Sequence, residues 1–518
     1  MKKTVFSFLF LILAASGMAQ DRPKLVVGIV VDQMRWDYLY RFYDEYTNGG
    51  FRRLLNEGFT YEDCQINYIP SITAIGHTSI FTGSVPSIHG IAGNNFLLDG
   101  KMTYCTDDNN VQTVGSDTKA GMMSPRNMLA TTIGDELKTA TNWQSKVIGV
   151  IFKDRASILP AGHQADAAYW FDKEALCFIS STYYMQELPK WVTAYNEQIG
   201  REIKQLAKRD KNTKVIDLIQ YEPYGNEITM RMAKAAIKNE RLGQRDKMTD
   251  MLTLSFSCTD ITGHKYGTHH EKMHAQFIGL DKQLADFFNY LDQTIGKGEY
   301  LVFLSSDHGA ANGILQNQEH RVPSDGFYSG GVNKELNAML AQKFGLNADD
   351  ASGKLSKFIM DYKVVLNRDA IHANNLSEGD VTQAIVDFFK KHPAVQYCFP
   401  LEQAATAPVP AIIREKAING YKHDRSGDIQ IILKPGYYGT GKEIDAGTTH
   451  GNWNPYDCHI PFVLMGWHIP HGRTDAEVYI TDIAPTVCTL LHIQMPSGCI
   501  GRSVESLTRM SLILDYVK

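Results

Sequence analysis

Six side chains of metal-ligating type stand out in this chain: Asp32, Asp260, His264, Asp307, His308 and His450. LVVGIVVDQM ends its apolar run at Asp32, LTLSFSCTDITGH carries Asp260 and His264, and YLVFLSSDHG delivers Asp307 with His308. The glycine-rich GTTHGNW supplies His450. Carboxylates and imidazoles just past the carboxyl ends of buried strands lie where an α/β sheet keeps its ligands. A mixture of carboxylate and imidazole favours zinc, whereas magnesium favours oxygen alone. Six such donors divide into two sites of three, each with a position open for substrate or water. The chemistry this implies is two-metal hydrolysis. A lone Asp after a strand is commonly a turn former, and a lone His commonly a core or surface residue. The joint pattern, with Asp260 four residues before His264 and Asp307 adjoining His308, separates these residues from that reading.

Between the first two ligand groups runs Tyr68-Ile-Pro-Ser71-Ile-Thr73-Ala-Ile-Gly-His. A hydroxyl after a Pro-led turn, opening a helix over 74–81, would sit among amides that point at an incoming anion. Thr73 is therefore a candidate nucleophile, with Ser71 as its rival and an ordinary helix-capping threonine as the alternative. Lys153 and Arg155 leave the run ending at Ile151 two residues apart, so both can face one side of an extended segment. Aimed into a metal site, such cations bind phosphoryl oxygens; otherwise they form a surface charge pair. Gly436-Tyr-Tyr-Gly-Thr-Gly441-Lys442-Glu443 approaches a phosphate-binding P-loop, but position 443 lacks the hydroxyl that holds magnesium and no helical pattern follows. His269 and His274 fall at helical spacing beside Glu271 and Lys272, a solvated face with no ligand role.

These residues need a scaffold, and the apolar runs at 25–31, 145–152, 251–257, 300–305 and 460–465 supply one. They are short, nearly continuous and rich in Val, Ile and Leu, the mark of strands buried on both faces of a parallel sheet. Helical patterns at about 37–57, 225–240 and 270–292 alternate with them, and Asp482 can cap a further helix, IAPTVCTLL. The expected fold is α/β: a central, mostly parallel sheet sandwiched by helices. Residues 313–425 break the rhythm with a helix (332–345), an extended pair (357–367), a helix (377–391) and a strand (394–399). This reads as a small α+β insertion or cap between two parts of one catalytic domain, 20–312 and 426–518.

Residues 1–19 are expected to be a signal peptide. Lys2 and Lys3 precede the apolar run 5–15, and Gly17-Met18-Ala19 offers a cleavage site. Localisation in the periplasm, or secretion, would follow, with no stable membrane anchor and a monomer as the expected state. Losing Lys2 and Lys3 moves the formal charge from -5 to -7, which argues against nucleic acid as a partner. An anionic substrate must then be attracted by local charge. Eight cysteines show no CxxC spacing; Cys488 with Cys499 and Cys64 with Cys105 are candidate pairs, with free thiols as the alternative. The absence of a Cys-x-Pro-x-Arg motif removes the formylglycine type of sulfatase.

With these motifs assembled, the chain resembles the alkaline phosphatase superfamily, and within it the secreted, phosphate-irrepressible PafA-type phosphatases. PSITAIGHTSIFTG matches the nucleophile segment, with Thr73 at the nucleophile position. GIAGNN matches the loop whose asparagine touches the phosphoryl group, which points to Asn94 over Asn95, and FKDRA matches the Lys-x-Arg pair of this branch. The resemblance implies one zinc held by Asp260, His264 and His450, and a second held by Asp32, Asp307 and His308. It implies hydrolysis of small phosphate monoesters through a phosphothreonine at Thr73, with Asn94, Lys153 and Arg155 binding the phosphoryl oxygens. A phosphodiesterase or nucleotide pyrophosphatase of the same superfamily is the alternative, and an inactive binder of phosphorylated ligands is a second.

Overall fold

A computed structural model describes residues 22–504 of the chain. The expected signal peptide at 1–19 lies outside the described residues. The central sheet runs, from one edge to the other, Gly472–Thr474, Phe59–Gln65, His459–Gly466, Tyr300–Ser305, Leu25–Val31, Asp250–Phe256, Val147–Ile151, Ala167–Asp172, Cys177–Ser181 and Thr113–Val114. Its middle is parallel: Leu25–Val31 pairs with Tyr300–Ser305 on one side and Asp250–Phe256 on the other, and Val147–Ile151 pairs in parallel with Asp250–Phe256 and Ala167–Asp172. The run 460–465 differs from expectation. It forms His459–Gly466, antiparallel to both its neighbours, because continuous burial reports two covered faces and carries no direction.

Period-two geometry explains how one strand feeds two cores. In Leu25–Val31, residues Leu25, Val27, Ile29 and Val31 pack into one apolar core, while Val26 and Val30 pack into the other. Helix Glu271–Leu291 covers the first face with Phe277, Leu280, Leu284, Phe288 and Leu291, a spacing that keeps one helical side apolar. Helices Thr73–Thr82 and Ile483–Leu490 cover the second.

The helix expected over 37–57 is broken into Tyr38–Arg41, Tyr43–Glu45 and Phe51–Glu57. Asn48-Gly49-Gly50 interrupts it, and Asp281 accepts the N–H groups of Thr47 (2.6 Å) and Phe51 (2.8 Å) to hold the bend. Asp482 stands at the cap position of Ile483–Leu490, but its carboxylate accepts from the N–H groups of Tyr479 and Arg502. All eight cysteines are free thiols, six of them buried, so neither candidate pair is bridged.

The insertion is a four-stranded antiparallel sheet, Ser356–Met360, Lys363–Leu366, Ile429–Leu433 and Val395–Pro400, backed by helices Ser329–Phe344 and Glu378–Phe389. Leu336, Leu340, Val364, Leu366, Ile385, Phe389, Ile429, Ile431 and Leu433 share its separate core. The unit therefore extends past residue 425. Ile429–Leu433 lies inside this sheet, since a short apolar run does not reveal which sheet it joins. The near P-loop is a turn and the short strand Tyr437–Gly439, paired with Asp325–Phe327, and no helix follows it.

Candidate active site

Four neighbouring parallel strands end on one edge of the sheet, and each delivers part of the site. Tyr300–Ser305 is followed by Asp307 and His308, and Leu25–Val31 by Asp32. Asp250–Phe256 leads into helix Cys258–Tyr266 bearing Asp260 and His264, which share a face at i and i+4. Val147–Ile151 leads to Lys153 and Arg155. The loop 436–451 brings His450 across from beyond the insertion.

The six ligand-type residues gather as two groups, Asp260/His264/His450 and Asp32/Asp307/His308, with candidate ligand atoms in each group within 4.8 Å of one another. Every histidine is oriented by a backbone carbonyl at Nδ1: Thr448 for His264 (2.9 Å), Ser71 for His450 (2.6 Å) and Gly309 for His308 (3.0 Å). A donating Nδ1–H leaves Nε2 as the lone-pair atom, the arrangement of metal-bound histidines. His264 Nε2 lies 3.1 Å and His450 Nε2 3.7 Å from Asp260 Oδ1, and His308 Nε2 lies 3.3 Å from Asp307 Oδ2. Asp32 Oδ1 and Asp307 Oδ2 are buried without a hydrogen-bond partner, a costly state for carboxylate oxygens unless a cation serves them. The rings of His308 and His450 stack at 3.4 Å and bring the two groups together.

Charge in this cluster is tightly balanced. Burial, reinforced by Asp260 and Asp307, raises the Asp32 carboxyl well above its ordinary range, with Lys153 opposing. Against the effect of burial, His264 and Lys153 hold Asp260 well below it. Burial and the nearby His308 and His264 depress His450. Lys153 Nζ lies between the groups, 2.6 Å from Asp32 Oδ2 and 2.5 Å from Asp260 Oδ2. The two groups differ in access. The side chain of His264 is 40% exposed, whereas Asp32, Asp307 and His308 are fully buried, so the site opens on the Asp260 side.

Thr73 begins the wholly buried helix Thr73–Thr82, and its Oγ1 lies 3.2 Å from His308 Nε2. Gly76, one turn on, lies against the backbone of Asp307 where any Cβ would collide, which lets the helix approach this closely. Ser71, the rival hydroxyl, is otherwise engaged: it donates to the Asn452 carbonyl (2.9 Å) and accepts from Gly451 N–H (3.2 Å). Asn94 Oδ1 accepts from Ala74 N–H at 3.0 Å, placing its amide at the start of the Thr73 helix, while Asn95 is exposed. Arg155 Nη1 donates to the Tyr104 hydroxyl at 3.0 Å, and its Nε is buried without a partner.

Two contributors escaped sequence reasoning. His77 Nδ1 donates to the Thr73 carbonyl (3.0 Å) and lies 3.2 Å from Asp307 Oδ2 without bonding it, and its Nε2 meets Ser255 Oγ (2.9 Å). Gln33 touches both groups. His77 lies one helical turn after Thr73, a spacing that could have flagged it; Gln33 had only its place after Asp32. His274 pairs with Glu45 on the surface, as the solvated-face reading requires.

Fold and site together define a hydrolase of the α/β class built around two adjoining candidate metal sites. A family model described as type I phosphodiesterase / nucleotide pyrophosphatase matches residues 26–457. Alkaline phosphatase PafA of Elizabethkingia meningoseptica is 44% identical over 542 residues, covering 95% of this chain and 97% of that protein. A Myroides odoratus protein named as a calcium-transporting ATPase is 44% identical over 538 residues, 96% of each chain. The crystal structure of wild-type alkaline phosphatase PafA matches with a TM-score of 0.88 at 44% identity, covering 94% of this chain and 99% of that one. The chain therefore belongs to the type I phosphodiesterase / nucleotide pyrophosphatase family, and within it to the alkaline phosphatases of the PafA type, hydrolases of phosphoric monoesters.

Proposed function

We propose that the protein is an exported, zinc-dependent phosphomonoesterase that works through a phosphothreonine at Thr73. The observation that carries this reading is the placement of the Thr73 hydroxyl at a helix start beside two triads of oriented carboxylate and imidazole donors. Three nitrogens and three carboxylates suit zinc, and the orphaned oxygens of Asp32 and Asp307 are the kind a cation satisfies. Bound zinc would supply Lewis acidity, lowering the pKa of a hydroxyl or water and stabilising the leaving oxygen.

The chain's own groups do the rest. Thr73 Oγ1 attacks phosphorus in line, the P–O bond to the leaving group breaks, and water then cleaves the phosphothreonine to release phosphate. Asn94, Lys153 and Arg155 hold the charged oxygens of the transferring group, where positioning and electrostatics dominate catalysis. A monoester presents two anionic oxygens beyond the ester, which suits two cations; a diester replaces one with a substituent. The exposed side of His264 gives the leaving group its exit. The terminal phosphoryl group of a nucleotide offers the same oxygens as a monoester, so the ATPase name of the Myroides relative is compatible with this site. Among the described residues no helix is long and apolar enough to cross a membrane.

Metal analysis with turnover of the wild type and Thr73→Ala tests the reading. Two zinc ions per chain in both proteins, with activity lost only in the variant, is the expected result. No bound zinc, or full activity in Thr73→Ala, overturns it. Export is tested by N-terminal sequencing of the mature protein, which should begin just after Ala19.

A further inference from the structure

We propose that Gln33 is a positioning residue that spans the two metal triads, its backbone anchored at Asp307, and whose side chain fixes the Asp260 carboxylate for its metal. This rests on the reading that both triads bind zinc. Gln33 is buried, 2% exposed, and has a φ of 64°, a left-handed conformation uncommon for a residue with its side chain. Such a conformation persists where the surroundings determine it. Here they do so from both sides: Ser306 Oγ accepts from Met34 N–H (2.9 Å), and Thr259 Oγ1 donates to the Asp32 carbonyl (2.6 Å).

The turn directs two donors of one residue at two different sites. Its backbone N–H donates to Asp307 Oδ1 (3.2 Å), and its side-chain Nε2 donates to Asp260 Oδ1 (2.7 Å). Lys153 holds the other oxygen of Asp260, so that carboxylate is fixed at both ends. Gln33 Oε1 is buried with no hydrogen-bond partner and presses on Gly263, where any Cβ would collide. The glycine of the Asp260-Ile-Thr-Gly-His264 motif is thus the space the Gln33 amide occupies. A buried acceptor left unpaired is costly, and it is retained here beside an amide donor that serves a metal-ligand carboxylate.

Gln33→Gly and Gln33→Glu test the proposal. Glycine accepts the left-handed backbone and keeps its N–H, so only the side-chain contact is lost. Glutamate keeps the shape but places a carboxylate against Asp260. Zinc affinity is read by competition with a chromophoric chelator. Cadmium-113 resonances identify the site, because one triad offers two nitrogens and the other one. In Gln33→Gly, zinc affinity at Asp260/His264/His450 should fall by about 10–100-fold, the effect of losing an outer-shell partner, and at Asp32/Asp307/His308 by less than about threefold. Gln33→Glu should fall in the same direction, and it supplies the reading if the glycine variant does not fold. With a wild type that binds two zinc ions, unchanged affinities in the variants, or equal weakening at both triads, overturn the proposal. A wild type that takes up no zinc overturns the reading of the triads, and the proposal falls with it.

Discussion

The Nδ1 atoms of His264, His308 and His450 each meet a backbone carbonyl, so the main chain selects the tautomer that leaves Nε2 for a metal. Lys153 complements this arrangement as a point charge between two carboxylates. Lys153→Ala should lower kcat/KM for a monoester by about 10²-fold or more, in line with loss of one electrostatic contact to a transition state. Steady-state kinetics on zinc-loaded protein check this, and a loss below tenfold contradicts it. His89 gives a separate, structural prediction. Burial holds it near a pKa of about 3, with Nδ1 accepting from Ile91 N–H and Nε2 meeting Ser79 Oγ. The folded state binds a proton less readily than the unfolded chain, so stability falls as pH drops from about 6.5 towards 3, by up to about 1.4 kcal/mol per unit. In denaturation of chelator-treated protein across that range, His89→Asn should show a shallower slope than the wild type. Asp32, Asp260, His264, Asp307, His308 and His450 were legible because ligand chemistry limits the residue types. Gln33 was not, since a buried amide becomes informative only when Asp260 and Asp307 are brought to it from more than 200 residues away.

A hairpin of the insertion borders the site, and its helix Ala411–Asn419 meets the segment before Thr73, with Ile69 N–H donating to the Lys416 carbonyl at 3.0 Å. The hairpin turn, Asp361-Tyr362, has φ values of 48° and 58°, as a two-residue hairpin loop requires. The Tyr362 hydroxyl accepts from Gly439 N–H at 2.8 Å, and its ring lies against Gly451, next to His450. Tyr362 thus grips the glycine-rich loop near both ends. Asp361 faces Gly93, the neighbour of Asn94, so the same turn borders the loop proposed to bind the phosphoryl group. Tyr362→Ala should destabilise the protein by about 3–5 kcal/mol and speed amide exchange across residues 436–451. Tyr362→Phe should retain most of the protection because the ring remains. Unchanged exchange in the alanine variant contradicts this role. The two helices and three strands expected in the insertion form close to their expected bounds, but helices Ile314–Glu319, Arg368–Ala373 and Ala411–Asn419 were not anticipated, and its end lies further on. Ile429–Leu433 is apolar but for Gln430 and as fully buried as the central strands of the main sheet, and partner choice is a tertiary property.

At the scale of the whole molecule, the chain is acidic, with a formal charge of -5, and its substrate is an anion. On the proposed mechanism attraction comes from the site itself, through Lys153, Arg155 and the metal the triads would hold, so binding should weaken as salt rises. Metal also links to stability: ions that bind only the folded state raise its stability by mass action. Chelation should lower the melting temperature and zinc should restore it, as read by calorimetry; no shift would contradict metal binding at the triads. A phosphothreonine at Thr73 is tested most directly by peptide mapping after acid quench of enzyme turning over a monoester. Phosphate is expected on the peptide 70–83, at Thr73. Phosphate at Ser71, or none under conditions of rapid turnover, would contradict it.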